Sequence, residues 1–280
     1  MGHSDTDPVA LRAVAEQLAT EAADFVRRRR DEVFGATADS GSESKVRTKS
    51  TPTDPVTVVD TETERLLRNR LAELRPADHV LGEEEGGRPD TGDGRLTWVV
   101  DPIDGTVNFV YGIPAYAVSV AVQRDGRSVA GAVADVPSGA VYSAADGHGA
   151  TVQRAGVRSP LRCSAATDLS MSLVGTGFSY AAERRARQAQ VFTTVLPEVR
   201  DVRRIGSCAL DLCMVAAGLL DGYYEDGVHV WDWAAAALIA QEAGAVLRLP
   251  PADTQPGAIM AAGPGIADAL ADLLRRAGAS

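Results

Sequence analysis

Acidic residues recur where apolar stretches of this 280-residue chain end. Asp60 closes Val56-Thr57-Val58-Val59, Glu83-Glu84-Glu85 follows Val80-Leu81-Gly82, Asp101 and Asp104 follow Trp98-Val99-Val100, and Asp232 lies between Trp231 and Trp233. A carboxylate at the end of an element, beside the core, points into a cleft rather than into open solvent. Hard oxygen donors of this kind suit Mg2+, which takes few carboxylates per ion and keeps several waters. Two such ions ~4 Å apart clamp both the attacking and the leaving oxygen of a phosphoryl transfer. The densest segment is Trp98-Val99-Val100-Asp101-Pro102-Ile103-Asp104-Gly105-Thr106-Val107-Asn108-Phe109. Its two aspartates, three apart across a Pro-Ile turn, can converge, and the Ile103 carbonyl can join them. Gly105 lets backbone N–H groups approach an anion closely, and a short helix starting there would favour phosphate.

Each of these residues also has a plainer reading. Asp60 and Asp232 serve equally well as N-caps of the helices that follow them. Glu83-Glu84-Glu85 alone reads as a solvated charged loop. Trp231 and Trp233 read as packing residues, His229 as a structural histidine, and Cys208 and Cys213 as inert thiols on a buried helix. It is their joint occurrence in one chain that favours a phosphate-handling site.

Bulk properties agree with that choice. The net charge of −10 is poorly suited to direct nucleic-acid binding, which relies on Lys and Arg neutralising phosphates. An acidic chain that handles phosphate needs metal cations against repulsion. Three cysteines without metal-type spacing imply no disulfide framework and fit a reducing cytoplasm. Four scattered histidines give no zinc set. No apolar run approaches the ~18 residues of a membrane span, and no signal-peptide core is expected at the N-terminus. Lys49 stands out as one of two lysines in a chain otherwise using Arg. A compact ammonium there would serve as an accessory group for a water or ligand near the metals.

The elements that must position these residues follow from periodicity. Asp7-Pro8 opens a helix reaching about Phe34, with Leu11, Val14, Leu18, Phe25 and Val26 at helical spacing. Residues 35–48 read as a mobile loop. Val56–Val59 reads as a strand, and Thr61 with Glu64 as the capping box of a second helix. Residues 115–153 alternate between turn signals, the pattern of an antiparallel meander. Further on come a strand at 171–176, helices at 183–196 and 209–219, and a strand at 221–225. A helix from Asp232, two short strands and a last helix from Pro264 follow. This is layered α+β with mainly antiparallel sheets in two lobes.

The segment Asp101–Phe109 with its preceding apolar run resembles the first signature of the inositol monophosphatase family. Trp231-Asp232-Trp233-Ala234-Ala235, leading to Glu242-Ala243-Gly244, resembles the second. Matching pieces lie between and before them: Lys49-Ser50, Asp54-Pro55-Val56-Thr57 with Asp60, Gly82-Glu83-Glu84, Arg204-Ile205-Gly206-Ser207, and Asp221-Gly222-Tyr223-Tyr224-Glu225. The resemblance runs over roughly residues 8–277. It implies an αβαβα sandwich of two mainly antiparallel or mixed sheets, with helices between and outside them. An N-terminal lobe over 1–164 would carry most metal ligands, and a C-terminal lobe over 165–280 would complete the substrate site. It further implies two or three Mg2+ ions, with Mn2+ as a substitute. Glu83, Asp101 and the Ile103 carbonyl would hold the first ion, Asp101, Asp104 and Asp232 the second, and Glu83 a third. Thr106, hydrogen-bonded to Asp60, would orient and deprotonate the attacking water, with Glu83 assisting. Gly105 and Thr106 N–H groups would bind phosphate, and Asp104, Cys208, Glu225 and Asp232 would contact the substrate. Lithium sensitivity and a homodimer acting on a small phosphate monoester complete what the resemblance implies, and the charge, the apolar runs and the cysteines add that it is cytoplasmic, without nucleic acid or membrane.

Glu225 favours inositol 1-phosphate as that substrate. The resemblance implies that a Glu after a Tyr-Tyr pair accepts bonds from ring hydroxyls, and a carboxylate there repels a second phosphate in a water-poor site. The alternatives are fructose 1,6-bisphosphate, histidinol phosphate or adenosine 3′,5′-bisphosphate, or a non-enzymatic partnership with the transcription machinery. The chain departs from the family pattern in the length of 35–48, in Glu85, in Cys208 where a small residue such as Ala is usual, and in Trp233 after Asp232. The last two are expected to alter substrate fit.

Overall fold

A computed structural model describes residues 6–34, 46–49, 55–87, 94–251 and 256–279. The described elements run α1 (Pro8–Phe34), β1 (Val46–Thr48), β2 (Pro55–Thr57), α2 (Val58–Leu74), β3 (His79–Gly82), β4 (Gly86–Gly87), β5 (Leu96–Asp104), α3 (Thr106–Tyr111), β6 (Ala117–Arg124), β7 (Arg127–Asp135), β8 (Ala140–Ala145), β9 (Ala150–Arg154) and β10 (Val157–Pro160). The second half contains β11 (Leu173–Thr176), α4 (Ala182–Val195), β12 (Asp201–Arg203), α5 (Cys208–Ala216), β13 (Gly222–Val228), α6 (Val230–Glu242), β14 (Val246–Arg248), β15 (Gly257–Ala262) and α7 (Ala267–Arg276).

Two large sheets organise the molecule. The eight-stranded sheet has the order β10-β9-β8-β7-β6-β5-β3-β4 and is antiparallel except where β3 runs parallel to β5. The five-stranded sheet, β12-β11-β13-β15-β14, is mixed: β11 is parallel to β12 and β13, and β15 is antiparallel to both its neighbours. Helices α1 and α2 cover the outer face of the larger sheet, α5 and α6 lie between the sheets, and α7 with α4 covers the outer face of the smaller one. This is the αβαβα layering that the resemblance implies.

Burial explains why each helix occupies its layer. In α1 the buried residues Leu11, Ala15, Leu18, Ala22 and Val26 form one stripe, as on a helix covering one side of a sheet. In α6 every residue from Trp233 to Ala240 is buried, and α5 is buried along nearly its whole length. A helix apolar all round must lie between two layers. Strand β5 is buried at all its positions because α2 packs on one face and α6 on the other.

Several sequence boundaries move. The first helix and the meander of 115–153 fall where expected, the latter as β6–β9 extended by β10. The strand at Val56–Val59 is shorter: Val58 already begins α2. The capping box is closed by Thr57 and Asp60, not by Thr61 and Glu64. Helix α6 begins two residues before Asp232, with His229 as N-cap. Of the expected loop, 46–48 pairs with β2 as a strand, while 35–45 lies outside the described residues. Ser50 and Asp54 lie outside them too.

Candidate active site

The end of β5 is the centre of the site. Asp101 pairs with Ser119 and Asp104 with Ala117, so Pro102-Ile103 bulge out of register. Proline has no N–H for a ladder bond, and a bulge re-aims side chains at the edge of a core. Asp101 Oδ1 accepts the Ile103 N–H at 3.0 Å. Asp104 Oδ2 accepts from Ser207 Oγ at 2.6 Å and from the Ala209 N–H at 2.6 Å, with the Cys208 N–H also bonded to the carboxylate. Asp104 thus holds the first turn of α5. Asp232 Oδ2 accepts the His229 N–H at 2.6 Å, closing the capping box of α6. Oxygens of Asp101, Asp104 and Asp232 all lie within 4.8 Å of one another.

Beside them, Thr106 is in the first turn of α3. Its hydroxyl lies 3.1 Å from Asp60 Oδ1 and 3.0 Å from the Ile103 carbonyl, and it donates to one or the other. Asp60 Oδ2 accepts from the Thr57 N–H at 2.9 Å and from the Thr57 hydroxyl. The capping box that starts α2 therefore fixes Asp60 with one oxygen and leaves the other to Thr106. Gly105, the N-cap of α3, has φ +97°, and a Cβ there would sit 3.0 Å from the Ala115 carbonyl oxygen. Only glycine fits this turn.

The three consecutive glutamates separate. Glu83 and Glu84 both accept from Lys49 Nζ, at 2.8 and 2.6 Å. Glu85 turns away to Arg65 and Arg68. The turn itself is built on buried Glu64, which accepts the Glu84 and Glu85 N–H groups at 2.7 and 2.9 Å. Glu64 is thus a turn anchor rather than a cap. Lys49 bonds Glu83 and Glu84 directly.

Crowded acids in a dry setting hold protons. Burial, opposed by the Thr57 hydrogen bond and reinforced by the Glu83 charge, pushes Asp60 up to about 6. Burial also pushes Asp104 up to about 6, against its hydrogen bonds from Ser207 and Ala209. Asp101 and Asp232 are raised well above the usual carboxylate range, by burial first and then by the charges of Glu83 and Asp104. Burial lowers the Lys49 ammonium, but Glu83 and Glu84 outweigh it and raise it overall. The donor set is therefore oxygen throughout, rich in negative charge and short of a counter-charge. An octahedral Mg2+ with bonds of about 2.1 Å spans ligand oxygens about 3–4 Å apart, within the 4.8 Å that bounds the separations here. The residues present fit the ion.

The cleft above has a volume of about 440 Å³. Its lining includes Lys49, Glu83, Asp101, Ile103, Asp104, Gly105, Thr106 and Asp232, together with Cys208, Glu225, Gly177 and Arg204. Asp60 is fully buried behind Thr106. Glu225 accepts from the Tyr223 hydroxyl, and burial, against that bond, pushes it up to about 7. Trp233 points elsewhere, into a small cavity with Gly126, Ser128 and Leu247. The expectation that it alters substrate fit is corrected: the indole that reaches the cleft is Trp231, stacked on His229 at 4.7 Å. Tyr223, Gly177 and the cleft-facing Trp231 were not singled out as site residues. For Tyr223 a signal existed, since residues two apart on a strand share a face with Glu225.

The chain matches the model of the inositol monophosphatase family over residues 7–277. It is 64% identical over 278 residues to the inositol-1-monophosphatase of Mycobacterium leprae, covering 97% of this chain and 96% of that one. It is 37% identical over 196 residues to the Nus factor SuhB of Vibrio cholerae, covering 69% and 71% of the two chains. Among solved structures, Mycobacterium tuberculosis SuhB superposes with a TM-score of 0.82 at 55% identity, covering 97% of this chain and 98% of that one.

Proposed function

We propose that this chain, which belongs to the inositol monophosphatase family and is a phosphoric monoester hydrolase, converts inositol 1-phosphate to inositol and phosphate with the help of Mg2+. The observation that carries the reading is the convergence of Asp101, Asp104 and Asp232 beside the Thr106–Asp60 pair at the floor of one cleft. Glu83, Asp101 and the Ile103 carbonyl would hold one ion, Asp101, Asp104 and Asp232 a second, and Glu83 a weaker third; Mn2+ would substitute. Bound there, the metal supplies charge neutralisation for the phosphoryl group and the departing oxygen.

The chain's own residues do the rest. Gly105 and Thr106 offer N–H groups at the start of α3, which have no intrahelical acceptor and suit phosphate oxygens. The Thr106 oxygen accepts from a water in line with phosphorus. Its own proton passes to Asp60 Oδ1 as it takes one from the water. An acid held at about 6 is matched to that task near neutral pH. Glu225 accepts hydrogen bonds from hydroxyls of the leaving polyol, with Cys208 beside it, while Glu83 and its partner Lys49 complete the charged wall.

The same reading carries the two lobes, 1–164 and 165–280, with Asp232 and Glu225 contributed by the second. It also carries a homodimer in a reducing cytoplasm. Three free cysteines support that setting, as does the finding that no described helix is long and apolar enough to cross a membrane. The test is phosphate release from inositol 1-phosphate, fructose 1,6-bisphosphate, histidinol phosphate and adenosine 3′,5′-bisphosphate, with Mg2+, Mn2+ or EDTA. Preference for inositol 1-phosphate and loss of turnover in EDTA are expected. Undiminished turnover in EDTA, or preference for a bisphosphate, refutes the reading. The likeness to a Nus factor favours a second role as a protein partner in transcription. Capture of transcription proteins by a catalytically dead variant tests that role independently.

A further inference from the structure

Glu83 reaches the site on a short turn. In the parallel pairing of β3 with β5, Gly82 lies opposite Val100, so Glu83 leaves β3 at the level where Asp101 follows on β5. The ladder ends there, and the chain turns back at once, pairing Gly86 with Gly82. Among the described residues, the Glu83 carboxylate is bonded only to Lys49 Nζ, and no backbone N–H holds it. Where this side chain starts is therefore set by whatever holds the turn.

That support comes from α2. Glu64 is fully buried. It accepts the Glu84 N–H at 2.7 Å and the Glu85 N–H at 2.9 Å. One helical turn on, Arg68 Nε donates to Glu64 Oε1 at 2.8 Å, and Arg68 Nη2 donates to the Gly86 carbonyl. A buried carboxylate persists only when it is paired and fully bonded, and this one directs two bonds at the backbone just after Glu83. Just before Glu83, a Cβ on Gly82 would overlap the Glu64 carboxyl, so β3 runs directly against it. Glu83 is thus enclosed between a glycine that touches the Glu64 carboxyl and a residue that donates to it. Asp60, Glu64 and Arg68 are four apart and share one face of α2. The helix that carries Asp60 to Thr106 also carries the anchor of the Glu83 turn, one turn further along, and fixes the spacing between the two.

We propose that Glu64, which does not line the cleft, is the positioning residue that holds Glu83 ready for a divalent cation, acting through the backbone of the Glu83–Glu85 turn. The inference rests on the reading of Glu83 as an ion ligand and adds no ligand to the set.

The experiment is a double-mutant cycle on the full-length protein. It is read by calorimetric titration with Mg2+ in the absence of substrate and by thermal unfolding in EDTA. The four proteins are wild type, Glu64→Gln, Glu83→Gln and the double variant. Glutamine keeps the size of Glu64 but turns an NH2 group toward one of the two backbone N–H donors. Mg2+ affinity falls by roughly tenfold or more in Glu64→Gln, the scale on which groups supporting a metal ligand act, and saturating Mg2+ restores most of kcat. In the Glu83→Gln background the same change costs little further affinity, because the side chain it positions no longer ligates. A merely structural role lowers the unfolding temperature and costs affinity equally in both backgrounds. Unchanged Mg2+ affinity in a folded Glu64→Gln protein, or equal losses in the two backgrounds, overturns the proposal. If Glu64→Gln fails to fold, Glu64→Asp, which keeps the charge but draws the carboxyl back from the turn, takes its place in the cycle. If Glu83→Gln itself binds Mg2+ as tightly as wild type, the reading of Glu83 as an ion ligand fails instead, and that single variant shows it.

Discussion

Replacing Asp104 by Asn removes one of three carboxylate charges whose oxygens lie within 4.8 Å of one another. At that distance and an effective dielectric of ~20, each ionised pair repels by about 3.5 kcal/mol. Asp104 takes part in two such pairs. The protein relieves the strain by keeping protons: burial, against hydrogen bonds from Ser207 and Ala209, holds Asp104 at about 6. A carboxyl whose folded pKa exceeds its unfolded value of about 3.9 contributes stability below about pH 4. That contribution is lost as the pH rises through about 6. Above pH 7 the ionised group has cost the metal-free fold about 3 kcal/mol, two pH units at about 1.4 each. Asn has no charge and keeps an acceptor oxygen for Ser207 and Ala209. Asp104→Asn is therefore expected to be more stable than wild type by about 1–3 kcal/mol in EDTA at pH 8, raising Tm by about 2–4 °C per kcal/mol. The two proteins should converge at pH 4. Adding Mg2+ should reverse the order, because the ion stabilises only the protein that binds it, and turnover in the variant should fall by ~10³-fold or more. Thermal unfolding at both pH values, with EDTA and with Mg2+, measures all of this. A variant no more stable than wild type in EDTA at pH 8, or one stabilised equally by Mg2+, refutes the account of these carboxylates as a repulsive, ion-seeking cluster.

Other expectations concern single groups. Glu225→Gln should cost inositol 1-phosphate roughly tenfold in kcat/KM and cost fructose 1,6-bisphosphate less or nothing, since a charged acceptor bonds more strongly than a neutral one; equal losses make Glu225 structural. Thr106→Val keeps the shape but removes the hydroxyl that reaches Asp60, so kcat should drop by 10²-fold or more with KM little changed, and a normal kcat removes Thr106 from the proton path. Li+ should inhibit uncompetitively with substrate and compete with Mg2+ in initial-rate measurements; full activity at high Li+ marks this site as different from the sensitive members. Because Trp233 points away from the cleft, Trp233→Phe should leave any lithium sensitivity where it was, and a shift in the inhibition curve contradicts that placement.

The convergence of the candidate site's carboxylates was legible in the sequence because they sit at the ends of strongly patterned elements. Asp101-Pro102-Ile103-Asp104-Gly105 follows a fully apolar run, and proline within a strand announces a bulge. Less legible was which of two overlapping frames closes a helix. Thr57-x-x-Asp60 and Thr61-x-x-Glu64 both satisfy the capping-box rule, and only tertiary contact decides. Glu64 is taken by the Glu84-Glu85 turn, 20 residues away in sequence, and Asp60 by Thr106, 46 away. The direction of Trp233 was hidden for a similar reason. Helix α6 is apolar on all sides, so periodicity does not tell which sheet a residue meets. The parallel pairing of β11 with β12 and β13 was not visible either, because short buried strands carry no mark of direction.

Asp60, Asp101, Asp104 and Asp232 share one habit: each has an oxygen bonded to a backbone N–H, three of them at the start of a helix. These four side chains therefore give up their rotational freedom when the chain folds, not when an ion arrives. Ordering a free side chain on binding costs about 0.5–1.5 kcal/mol, and here that cost falls on folding instead. In the proposed reading, a cation held by Asp101, Asp104 and Asp232 binds more tightly for that reason. On the same reading, a change that frays α5 or α6 far from the cleft loosens Asp104 or Asp232 and with them the fit for an ion, whereas one that frays α2 disturbs Asp60 and its bond to Thr106, in each case with every one of these residues still in the sequence.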